Sequence, residues 1–347
     1  MRLDWRPVCL TLPLALTLAC GDDSNTEGGS SGDTTETGTT DPTGAEGMEA
    51  EGDGDGDGDG DGDGEGDGDP TGDGDGDPTG DGDGDPTGDG DGDGDPLCTC
   101  ADNTDLIYVL SDDGELWSFD PETNQFDQIT PSLGCPQTNA FSMSVDRNGV
   151  AYVMFQNDDI YTVDVNNPNM CTDPGYVPGQ LGFDKFGMGF VSNSEFDQCD
   201  KLYAHSWNGM GGFSEGPNTG RLGRMDPADL MMEEIGSIDY NGGELTGTGD
   251  GRLFAFAGAP AKLVEYNKDT AEVVATEQLN MSLTNAFAFA FFAGDFYMFT
   301  EANGNPGVSK VTHYDYDDTK ALNIVVQNAP IRIVGAGVST CAPLLPQ

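Results

Sequence analysis

Positive charge is the scarcest commodity in these 347 residues: 13 Lys and Arg stand against 63 Asp and Glu, a formal net charge of −50. Nucleic acid and anionic membrane surfaces both demand clustered cations, so neither is an expected direct partner. Histidine is scarcer still. His205 and His313 are the two imidazoles in the chain, neither lies beside a serine or cysteine nucleophile motif, and Gly-x-Ser-x-Gly is absent. Beyond the first twenty residues no apolar run is long enough to cross a bilayer. Aromatic residues are missing altogether from 21–97, which removes the means of building a core there. What remains divides into three parts. Residues 1–20 carry a net charge of +1, residues 21–97 hold 28 acids and no base, and residues 98–347 carry −23.

Arg2 and Arg6 precede an apolar run from Val8 to Leu18. It is too short for a stop-transfer helix, is interrupted by Pro13, and has the length of a signal-peptide core, so 1–19 reads as a signal peptide. The segment Leu16-Thr17-Leu18-Ala19-Cys20 resembles a bacterial lipobox, with Thr17 where that family usually has Leu. The resemblance implies that Cys20 is lipidated and becomes the first mature residue, with the membrane as partner through that lipid. Gly21 at the second mature position resembles sorting to the outer membrane, and hence to the envelope or cell surface of a Gram-negative bacterium. Ordinary cleavage of a secreted protein is the alternative.

Residues 20–97 read as a disordered acidic tether. The stretch is built almost wholly from Gly, Asp, Thr, Pro, Ser and Glu, with very little that is apolar, and includes three copies of Pro-Thr-Gly-Asp-Gly-Asp-Gly-Asp, beginning at Pro70, Pro78 and Pro86. Alternating Gly and Asp sets a charge about every 7 Å of extended chain, inside a Debye length, so the tether repels itself and stretches. Asp53, Asp55, Asp57 and Gly58 match the opening of an EF-hand loop, but that loop needs a Glu at position 12. Between 51 and 95 every acid has an odd number, so position 12 always falls on Gly or Pro. Weak, diffuse Ca²⁺ association with the tether is expected; a folded metal site, or any cofactor, is not.

From 98 onward the composition turns to aromatic and β-branched residues with regular turn signals, the signature of an all-β domain. A short strand recurs around Tyr108, Tyr152, Tyr203, Phe254 and Tyr297, at spacings of 43 to 51 residues. A second follows each time, ending in an aliphatic residue, two variable ones, an apolar one, then Asp or Asn: Asp120, Asp164, Asp226, Asn267 and Asp315. An Asp or Asn there folds back on the backbone as an Asx-turn and closes a hairpin. Five units of about forty to fifty residues give a five-bladed β-propeller over 98–347; a six-bladed count is the variant and a β-sandwich the rival, the latter disfavoured by the fivefold register. Small residues in Ser142–Ser144, Met188–Phe190, Thr246–Thr248, Ala286–Phe291 and Gly335–Gly337 suit strands crowded about an axis. The chain enters at the second strand of the first blade, and the orphan strand Ile331–Ser339 is expected to complete that blade and close the ring. The segment from Gly114 to Thr123 resembles the hairpin signature of quinoprotein-like propeller repeats, although no coherent set of residues for their quinone is present.

Six cysteines follow the tether, Cys98, Cys100, Cys135, Cys171, Cys199 and Cys341, and in an exported chain they imply disulfides rather than zinc ligands. Cys341 ends the closing strand, so it pairs with Cys98 or Cys100; Cys135 and Cys171 flank the second blade; Cys199 takes the remaining partner or stays free. Long insertions in the third and fifth blades (206–220 and 301–309) are placed on the face reached by the loops entering the inner strands. Trp207, Asn208, Asn139, Asn285, Lys185 and Phe186 are therefore the candidate ligand-binding residues, and no catalytic residue stands out. The expected function is a monomeric, non-catalytic binding or scaffold propeller for a glycan, peptide or protein, held off the membrane by a charged spacer. The alternative is a polysaccharide hydrolase with carboxylates at the ring mouth.

Overall fold

The computed structural model describes residues 98–209 and 213–346. The segments expected to be a signal peptide and a tether, with Cys20 between them, lie outside the described residues, as does the first of the chain's two units, Met1–Gly84. Within the second unit five four-stranded antiparallel sheets form the five expected blades. The first comprises β1 (Ile107–Ser111), β2 (Leu116–Asp120) and β3 (Gln125–Thr130); the second β4 (Ala140–Val145), β5 (Val150–Phe155), β6 (Ile160–Asp164) and β7 (Cys171–Thr172). The third comprises β8 (Lys185–Ser192), β9 (Asp200–Trp207), β10 (Ser214–Met225) and β11 (Met232–Asn241). The fourth runs through β12 (Glu244–Gly247), β13 (Leu253–Ala257), β14 (Lys262–Tyr266) and β15 (Val273–Gln278). The fifth runs through β16 (Phe287–Phe292), β17 (Asp295–Ala302), β18 (Asn305–Tyr314) and β19 (Leu322–Val326). Last comes β20 (Ile333–Val338), which pairs with β1 as the inner strand of the first blade, Tyr108 opposite Gly337.

The recurring sequence features have recurring jobs. Tyr108, Tyr152, Tyr203, Phe254 and Tyr297 are all buried, and each packs in the apolar layer between its own blade and the next, ending with Tyr297 in the layer shared with the first blade. The core is thus five inter-blade layers rather than one centre. Each strand-ending Asp or Asn accepts backbone N–H bonds within its turn: Asp120 from Glu122 at 2.9 Å, Asp164 from Asn166 at 2.8 Å, Asp226 from Ala228 at 2.9 Å, Asn267 from Asp269 at 3.0 Å and Asp315 from Thr319 at 3.2 Å. The axis is as crowded as the small residues imply. A Cβ on Gly335 would come 2.8 Å from the Met143 nitrogen, and one on Gly337 equally close to that of Val145, so β20 rests against β4 only because both positions are glycine.

Two expectations shift. The inner strand of the fourth blade begins two residues before Thr246, at Glu244, which brings a carboxylate into the ring. The insertions of the third and fifth blades are largely strand rather than loop. β10 pairs with β11 up to Ser214 opposite Asn241, and β17 and β18 continue to Ala302 opposite Asn305. Pairing satisfies backbone groups that a long loop would leave to water.

The cysteines pair as Cys98–Cys199, Cys100–Cys341 and Cys135–Cys171. This resolves the alternatives left open by the sequence: Cys100 takes the closing cysteine and Cys98 takes Cys199. Three disulfides are the chemistry of an oxidising, extracytoplasmic compartment.

Candidate functional site at the ring mouth

At the end of the ring where the inner strands begin lies a cavity of about 330 Å³. All five blades contribute to its wall: Asp112 and Arg332 from the first, Asn139 and Phe141 from the second, Trp207 and Phe213 from the third, Glu244 from the fourth, and Asn285 and Phe287 from the fifth. Among the described residues its aromatic lining is four rings in two pairs, with Ala140, Ala286 and Val334 completing the apolar part. Phe141 stacks on Trp207 with centroids 5.3 Å apart and planes 13° apart, while Phe213 meets Phe287 edge-on at 5.0 Å. Gly242 approaches the Trp207 indole so closely that a Cβ there would sit 2.8 Å from the ring.

Glu244 is the unusual member. It is 5 % exposed at the start of an inner strand, and its carboxylate accepts the Ser142 hydroxyl from across the axis at 2.7 Å. Ser142 in turn accepts the Met188 N–H at 3.3 Å, so β4, β8 and β12 meet at one carboxyl group. Burial outweighs these bonds and pushes the Glu244 carboxyl well above the ordinary carboxylate range. Beneath it, the Gly243 N–H donates to His205 Nδ1 at 3.1 Å. Burial drives His205 down to about 4, so the imidazole is neutral and serves as an acceptor holding the backbone that presents Glu244.

Arg332 bridges two blades. It donates to Asp112 Oδ2 at 2.7 Å and to Glu301 Oε1 at 2.8 and 3.0 Å. One guanidinium thus serves two carboxylates, which leaves the group with an excess negative charge. Lys185, at the same end of β8, is closed by Asp158 at 2.7 Å.

Of the residues singled out from sequence, Trp207, Asn139 and Asn285 line the cavity. Asn208 is exposed beside it and exchanges hydrogen bonds with Asn241. Lys185 turns to Asp158, and Phe186 is fully buried between the second and third blades, so neither forms the wall. The repeated Thr-Asn serves two purposes: Thr284 caps the turn, donating to the Ala286 carbonyl at 2.6 Å and accepting the Glu301 N–H at 2.9 Å, while Asn285 lines the cavity. Glu244, Arg332 and Asp112 also line the cavity, and no motif in the sequence marks them. The available signal was a single charge at the edge of a segment otherwise made of small and apolar residues: Glu244 opens β12 and Arg332 immediately precedes β20.

The other end of the ring is closed. Arg147, 4 % exposed, donates to the Ser192 hydroxyl at 3.1 Å, the Gln198 carbonyl at 2.7 Å and the Thr340 hydroxyl at 3.1 Å, and pairs with Asp200 at 3.6 Å. Its guanidinium also lies 3.2 Å from Cys100 Sγ, so the ion pair and the Cys100–Cys341 disulfide occupy one plug. Elsewhere, Asp295, Asp315 and Asp317 bring carboxylate oxygens within 4.8 Å of one another, but Asp295 is already engaged by His313 at 2.8 Å and the Tyr316 N–H at 2.7 Å.

The chain matches no protein-family model, and no curated protein matches it. Among solved structures it is similar to a chain of a nidogen/laminin complex, with 10% identity over 68% of this chain and 81% of that one and a TM-score of 0.41. It is also similar to TolB from Acinetobacter baumannii (15% identity, 64% and 52%, TM-score 0.37) and to the computationally designed Ika8 protein (10%, 69% and 64%, TM-score 0.32). The chain thus spans about half of that TolB chain. At such identities no activity or partner passes from these proteins to this one. The class is defined by the chain's own architecture: a disulfide-closed five-bladed β-propeller with a walled cavity at one end of its axis.

Proposed function

We propose that this chain is an exported binding module, lipid-anchored through Cys20 at the outer membrane of a Gram-negative bacterium, whose propeller head receives part of a glycan or peptide ligand in the mouth cavity. The observation that carries this reading is the cavity itself. It is about 330 Å³, lined by ring faces and by the exposed amides of Asn139 and Asn285, with contributions from every blade, a composition suited to one sugar ring or one side chain. The three disulfides support export, the lipobox-like residues support the anchor, and the acidic tether would act as the spacer. The resemblance to quinoprotein-like repeats concerns the hairpins alone. Binding on glycan and peptide arrays, lost in Trp207→Ala with the thermal midpoint retained, is the expected result; binding indifferent to Trp207→Ala refutes the mouth as the site.

A specific observation favours a second reading, polysaccharide hydrolysis. Asp112, paired with Arg332, and Glu244, buried without a cation, line one cavity in contrasting environments, which is how paired carboxylates acquire base and acid roles. Turnover of a polysaccharide abolished by Glu244→Gln would replace the binding reading with this one.

A further inference from the structure

The mouth cavity has an imbalance that a neutral ligand leaves unresolved. Glu244 is a buried carboxyl group whose visible partners are a hydroxyl and a backbone N–H, with no cation among them. Among the described residues the cationic side chains near this end of the ring are already occupied: Arg332, Lys185 and Lys262 pair with carboxylates, and Lys310 donates to the Glu301 carbonyl and to Asn303 Oδ1. Around Glu244 the packed elements place no unpaired positive charge at the mouth: on β9 the histidine is neutral and Lys201 lies at the far end beside Asp226, Lys185 on β8 is paired with Asp158, β13 and β16 carry no titratable group, and β20 is preceded by the paired Arg332. Four aromatic rings line the same space. Ring faces and a carboxylate attract one chemical group in common, an ammonium whose charge is spread over alkyl hydrogens or presented on a short stem. The −23 carried by residues 98–347 would concentrate such a ligand near the mouth.

We propose that the mouth cavity is a recognition site for an organic ammonium group, a lysine side chain of a peptide or a small amine, held among Phe141, Trp207, Phe213 and Phe287 with its charge on Glu244. This rests on the mouth being the binding site and adds the chemistry of what enters it. Binding then ionises Glu244, and one proton leaves as the cation arrives. Affinity therefore rises with pH until it reaches the value at which the free carboxyl ionises, by up to about tenfold per unit.

The test is calorimetry on the full-length chain at physiological salt. The probes are tetramethylammonium, butylamine and a lysine tripeptide, with 3,3-dimethylbutan-1-ol as the neutral isostere and a neutral oligosaccharide alongside. The acidic segment is present in every variant, so diffuse cation association with it cancels. The expected result is saturable binding of an ammonium probe, at least roughly tenfold tighter than the neutral isostere, with about one proton released between buffers of different ionisation enthalpy. Glu244→Gln, which keeps the shape of the side chain, should erase that preference while the thermal midpoint confirms folding. The tripeptide exceeding butylamine identifies a peptide source; the reverse identifies a free amine. Absence of saturable ammonium binding overturns the inference, as does a neutral probe binding equally well; if that neutral binding, or an array hit, is lost in Trp207→Ala, the mouth reading survives. Ammonium binding unchanged in both Trp207→Ala and Glu244→Gln overturns the inference and the mouth reading together.

Discussion

Replacing Cys100 and Cys341 together by serine opens the ring at the point where its last strand meets its first. The cross-link spans 241 residues, and with Cys98–Cys199 intact the shortest closed loop through it still holds about 145 residues. Loop entropy then assigns the bond about 5 kcal/mol, against about 4 kcal/mol for Cys135–Cys171, which spans 36 residues. The closing bond should exceed its entropic share, because Arg147 lies 3.2 Å from Cys100 Sγ and holds Thr340, next to Cys341. Equilibrium unfolding in guanidinium chloride should therefore show a larger loss for the Cys100/Cys341 double variant than for Cys135/Cys171. A loss below about 1 kcal/mol, or the reverse order, would mean that inter-blade packing alone closes the ring and that the latch argument is wrong. Non-reducing peptide mapping gives an independent check, since a free Cys341 in the mature protein is incompatible with the pairing.

Stability should also depend on pH in an unusual sense. Burial, opposed by Thr340, Arg147 and Ser192, holds the Asp200 carboxyl at about 6. Between about pH 4 and 6 the folded state keeps the Asp200 proton that the unfolded chain has released, so this group's contribution to stability falls by up to about 3 kcal/mol as pH rises through that window, while neutral His205, held at about 4, contributes in the opposite sense. Asp200→Asn removes the first contribution alone, so the variant should gain stability relative to the wild type as pH rises across that interval; a difference in thermal midpoint that stays constant with pH would contradict this. Gly335→Ala forces a methyl group against the backbone of Met143 and should cost about 1–3 kcal/mol in chemical unfolding; a silent substitution would disprove the tight axis. Tyr203→Ala removes a ring from the layer between the third and fourth blades and should cost about 3–5 kcal/mol, whereas Val274→Ala, on the exposed outer edge, should change the midpoint little.

Much of this architecture could be read directly because it repeats. Five aromatic positions and five Asp or Asn turn residues mark the same two strands in each blade, and a single misplaced unit would have broken the series. The closing strand was legible for a related reason: with the chain entering at a second strand, the first blade needs an inner partner, and Ile331–Ser339 has the small-residue pattern of one. The site was legible in part. Trp207, Asn139 and Asn285 lie in segments whose position follows from strand order alone. Glu244 did not stand out, because an acid beside two glycines in an acidic chain looks like loop until the strand is seen to begin there. Phe186 and Lys185 lie outside the cavity wall, which could not be read because the sequence locates a strand end without saying which way its side chains point.

By itself, then, the sequence determined the order of the strands and the number of blades, and it raised the expectation of an anchor signal and an acidic tether. All of these depend on local pattern and composition, which are properties of neighbours along the chain. The tertiary structure alone decided which cysteine meets Cys341, which residues face the axis, and that Ser142, Glu244 and Arg332, scattered over nearly two hundred residues, share one cavity region. Those outcomes depend on distances across the ring, which close only when the fifth blade meets the first.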